Sequence, residues 1–74
     1  VAVKEVLDPL AAALRAARRE RGLSLQAVAQ LMGRRSPQLV WQWEAGRHDP
    51  SLSNAREWAQ ALGYDLVLVP AVDR

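Results

Sequence analysis

The stretch LRAARRERGLSLQAVAQLMG, residues 14–33, decides how this chain folds. Its opening is rich in Ala, Leu and Arg, residues of high helix propensity. Gly22 ends that run behind arginines that suit a helix C-terminus. Ser24 then reads as an N-cap. Leu25, Val28, Ala29 and Met32 recur at the i, i+3, i+4, i+7 spacing of an amphipathic helix, and Gly33 stops it. Two helices around a tight turn follow from these residues alone.

Upstream, Asp8-Pro9 opens the first helix, with Asp8 as N-cap and Pro9 at the first helical position. Leu10, Ala13, Leu14 and Ala17 are expected on its inner face. Downstream, Ser36-Pro37 repeats the cap-then-proline signal after a basic Arg34-Arg35 turn. The third helix runs to about Ala45, with Val40 and Trp43 inward and Gly46 as terminator. After the loop Arg47-His48-Asp49-Pro50, Ser51 caps a fourth helix over residues 52–62, which Gly63 closes. Leu52, Ala55, Trp58, Ala59 and Leu62 give it an apolar face. The segment YDLVLVP, residues 64–70, changes period and reads as a strand. A lone strand must pair with the N-terminal arm at residues 1–8 or with another molecule.

A chain of 74 residues holds one small domain, and it buries only about 60% of its unfolded surface. Cysteine is absent and His48 is the single histidine, so neither disulfides nor a metal site is expected to reinforce it. A second copy, or very regular helix packing, is what remains. The absence of cysteine fits a reducing, cytoplasmic setting. The longest apolar run, residues 66–69, falls far below the roughly 20 residues of a membrane span, and Glu5 and Asp8 interrupt any signal-peptide pattern. Ten Lys and Arg, nine of them Arg, against eight Asp and Glu leave a charge of +2. That excess permits a polyanion partner without identifying one. Catalysis is not expected. Glu44 has no accompanying nucleophile or ligand set, and His48-Asp49 is a dyad without a nucleophile. No cofactor is implied.

Residues 14–33, together with SPQLVWQWEAGRHDPSL at residues 36–52, resemble the Cro and phage-repressor (XRE-type) helix-turn-helix family. The resemblance rests on Arg18 four places before Gly22, then Leu23-Ser24, Val28-Ala29, Gly33, Glu44, Gly46 and Pro50-Ser51-Leu52. It covers about residues 9–63. The chain departs from the pattern at Leu25, where relatives often carry Gln, with Gln26 one place later. Its turn before the third helix holds one residue more than usual. A strand-like segment also stands where many relatives have a fifth helix, a replacement that resembles the antitoxin branch of the family.

The resemblance implies a recognition helix that enters the DNA major groove by its N-terminal end. With Val40 and Trp43 inward, Pro37, Gln38, Trp41 and Gln42 are the candidates for base contact. Gln38 and Gln42 share a face, and a carboxamide matches the N6 and N7 edge of adenine. Pro37 is expected only to pack on sugar or a thymine methyl. Trp41 has two readings, one against DNA or a partner protomer and one rotated into the core. Arg34, Arg35, Arg47 and Gln26, with Ser24 and Ser36 at helix starts, are the expected phosphate contacts. Arg15, Arg19 and Arg21 read as a solvated face. In the family, the residues matching Arg18 and Glu44 form an ion pair behind the recognition helix.

The fold expected is therefore all-α: a four-helix Cro/repressor-like helix-turn-helix domain at residues 9–63. Residues 64–74 follow as a C-terminal strand that joins two protomers through Leu66, Val67, Leu68 and Val69. The expected partner is double-stranded DNA, bound by a homodimeric repressor on an inverted repeat. The alternative is an antitoxin that neutralises a toxin protein and regulates its own operon.

Overall fold

A computed structural model describes residues 7–72. Four helices follow one another: α1 (Pro9–Glu20), α2 (Leu25–Leu31), α3 (Gln38–Glu44) and α4 (Leu52–Ala61). Local chemistry sets their starts. Asp8 accepts from the Leu10 N–H, Ser24 from that of Ala27, and Ser51 from that of Asn54, each satisfying an orphan donor of the first turn. α3 differs by one place. Its N-cap is Pro37, whose ring carries no hydrogen-bond acceptor, and Ser36 accepts from the Gln38 N–H at 3.1 Å instead.

All four helices end in the same device. The residues after Gly22, Gly33, Gly46 and Gly63 each donate an N–H back across the last turn: Leu23 to Arg18, Arg34 to Ala29, Arg47 to Gln42, and Tyr64 to Ala59. This closure needs a left-handed residue at the corner, and each glycine has a φ between 68 and 88°. At Gly63 the constraint is this backbone conformation alone, since the Arg21 guanidinium that a Cβ would meet at 2.8 Å is the end of an exposed, flexible side chain that can move aside.

The core sits where α3 packs on α1 and α2, and α2 on α4. Val28, Val40, Trp58 and Leu62 are its largest fully buried side chains, joined by Leu14, Trp43 and Ala59. The Trp43 and Trp58 rings lie 5.4 Å apart, tilted by 39°, an arrangement that contributes beyond the area it buries. Leu25 and Met32 pack against this cluster from the side.

Three expectations are corrected. The inner face of α1 is Ala11, Leu14 and Ala17, while Leu10 and Ala13 face outward. α1 is turned about its axis so that Arg15 and Arg18 reach α3. Leu52 is 84% exposed rather than part of the apolar face of α4, because the first turn of that helix lies beyond the edge of the core. Residues 64–70 form no strand, and none exists among the described residues. Ladder hydrogen bonds need a second strand, and no described segment supplies one. Residues 1–6 of the arm lie outside the described residues, and Asp8 at its end is the cap of α1.

Candidate nucleic-acid interface

α3 has two faces with opposite surroundings. Its inner face buries Val40, Trp43 and Glu44. A buried carboxylate is costly unless its charge is met, and Arg18 meets it with two hydrogen bonds, Nε to Oε2 at 2.7 Å and Nη2 to Oε1 at 2.9 Å. The remaining Arg18 nitrogen, Nη1, donates to the Leu23 carbonyl at 2.8 Å. One guanidinium thus ties α1, the turn before α2 and the end of α3 together. The hydrogen bonds that Arg18 donates to Glu44 raise its pKa further above its already high value, against the burial that opposes its charge. Arg15, read from sequence as solvated, is half-buried and donates to the Glu44 backbone carbonyl at 3.4 Å.

The outer face carries Gln38, Trp41 and Gln42, at i, i+3 and i+4. Gln38 is exposed and Gln42 half-buried. Trp41 is 42% exposed, so the longer turn does not rotate it into the core. The Arg47 guanidinium lies over its ring, 5.1 Å from the centroid. Pro37 is half-buried at the helix start, where its carbonyl accepts from the Trp41 N–H at 2.9 Å.

The other polar residues singled out in the sequence divide. Arg35 and Arg47 are exposed on either side of α3. Gln26 donates to the Arg35 carbonyl at 3.3 Å, joining α2 to the turn. The hydroxyls of Ser24 and Ser36 are occupied as helix caps. Arg34 is turned inward: Nη2 donates to Asn54 Oδ1 at 2.8 Å, and the guanidinium covers the Trp43 ring at 5.7 Å. Its Nε is buried without a hydrogen-bond partner. Neighbouring arginines in one turn therefore have different surroundings, Arg34 half-buried and Arg35 exposed. Asn54 was invisible to sequence reading, since an Asn in the first turn of a helix carries no signal that it will meet an arginine 20 residues away.

Two short helices joined by a turn, the second locked from behind and presenting amides and an indole in front between arginines, are the geometry of a groove-reading unit. A family model described as a helix-turn-helix domain matches residues 9–72. The chain belongs to the helix-turn-helix domain family. A search of curated proteins finds no match to it. Membership implies DNA binding. The match also runs beyond residue 63 into the tail. No helix among the described residues is long and apolar enough to cross a membrane.

Proposed function

We propose that this helix-turn-helix protein is a sequence-specific transcriptional repressor of the XRE type, which binds an inverted-repeat operator as a homodimer and is not an enzyme. The observation that carries this reading is the contrast between the faces of α3: a buried ion pair and a tryptophan behind, two glutamines in front. A helix held that rigidly can present amides to adenine edges in a fixed register. Arg35 and Arg47 add phosphate contacts that give affinity and orientation. A chromosomal target would place the protein in the cytoplasm.

Dimerisation is assigned to Leu66, Val67, Leu68 and Val69. Their exposure is 37, 75, 100 and 77%, and an apolar segment that forms no ladder with any other described segment is suited to recruit another chain. Pairing across a two-fold axis would set two copies of α3 about 34 Å apart, one turn of DNA. The same exposed tail favours a second reading, in which it docks on a toxin protein and the domain is an antitoxin regulating its own operon.

Selection of bound duplexes from a randomised library tests the first reading. Enrichment of an inverted repeat supports it, and recovery of the input distribution removes it. Sedimentation of the full chain tests the dimer, since a monomer at tens of micromolar would exclude tail-mediated pairing.

A further inference from the structure

The outer face of α3 contains one side chain whose chemistry the glutamines do not explain. An indole has a single donor and a large apolar surface, so it cannot read the donor and acceptor pattern of a base edge. Left in water, its 42% exposure on the outer face of α3 has no benefit. The ring is also held. The Arg47 N–H is bonded to the Gln42 carbonyl at 2.9 Å by the closure at the end of α3, and from there its guanidinium returns over Trp41 at 5.1 Å. One ring face is thus covered by a cation anchored to the same helix, and the rest stays open to whatever α3 meets.

In the major groove the apolar group available to such a ring is the C5-methyl of a pyrimidine. Arg47 keeps positive charge beside the indole, so a phosphate wall is drawn toward this corner rather than repelled. We infer that Trp41, braced by Arg47, is a specificity-determining residue that reads a pyrimidine C5-methyl group. The inference rests on the DNA-binding reading above and deepens it. Gln38 and Gln42 suit adenine, whose partner base is thymine, so amides and indole converge on A·T pairs.

Thymine and 5-methylcytosine both present this methyl, and the test separates them. The probe is the duplex enriched from the randomised library by the full chain. It is resynthesised one position at a time with uracil in place of thymine, and in a second set with 5-methylcytosine against cytosine. The parent protein should lose about fourfold in affinity on removal of one methyl, the worth of one buried methyl-sized group. That loss should vanish in Trp41→Ala, and in Trp41→Gln as a second, polar replacement, with both variants melting like the parent. An effect in the thymine set identifies thymine as the natural ligand, and one confined to the cytosine set identifies the methylated base. If the duplex binds and no methyl matters in either set, the inference is overturned while DNA binding stands. A methyl effect of unchanged size in the Trp41 variants overturns it equally, because another residue then reads the group. Failure to enrich any duplex removes the proposed function, and this inference with it.

Discussion

Leu62 and Leu68 are the same residue six positions apart, one fully buried and the other fully exposed. The first closes a helix against Trp58 and Ala59, in a body that satisfies its own backbone through helical bonds, serine and aspartate caps and glycine closures. The second lies in a tail of comparable hydrophobicity whose preferred conformation needs hydrogen bonds from elsewhere. Burial of a leucine is worth about 1.5–3 kcal/mol, and the tail forgoes this several times over. Hydrophobic sequence folds alone only where its backbone can be satisfied locally. Where it cannot, the same side chains become a demand for a partner.

The largest expected effect breaks the body. Glu44→Ala leaves the half-buried Arg18 without its carboxylate and should cost about 3 kcal/mol, a large part of what a small domain has. Urea unfolding followed by circular dichroism measures it. Melting like the parent would mean that the pair does not hold α3 in place.

Ending the chain at Tyr64 sharpens the contrast from the other side. Tyr64 keeps its N–H bond to Ala59, so α4 retains its closure, and the body should melt within a few degrees of the full chain. Operator affinity should fall about 100-fold, as the second half-site loses its high effective concentration. Fluorescence anisotropy on the selected duplex reads this directly. Unchanged affinity would show that the tail does not join two copies.

Gln38→Ala and Gln42→Ala should leave the body intact, and each should weaken binding by about 1–3 kcal/mol with relaxed base preference. Competition against duplexes altered at single positions checks this, and an unchanged preference would remove the register assigned to α3.

The smallest effect separates two adjacent arginines. Arg35→Ala should reduce the slope of log affinity against log salt by about 0.9, the signature of one phosphate contact, without changing stability. Arg34→Ala should lower the melting temperature through lost contacts with Asn54 and Trp43, and leave the salt slope alone. Exchange of these two outcomes would place Arg34 on DNA instead of on α4.

Features encoded within a few residues were legible in the chain. The caps at Asp8, Ser24 and Ser51 and the closures at all four glycines depend on local hydrogen bonds, and the inward pair Val40 and Trp43 follows from helical spacing. Three things were decided only by packing. The face α1 buries is set by Arg15 and Arg18 reaching Glu44, which admits Ala11 and leaves Leu10 at the rim. The inward turn of Arg34 depends on Asn54, a residue brought near by the path of the chain. The irregular course of residues 64–70 depends on what is beside them, because helical hydrogen bonds close between near neighbours in sequence while a strand's bonds close only with a partner that its own residues do not specify.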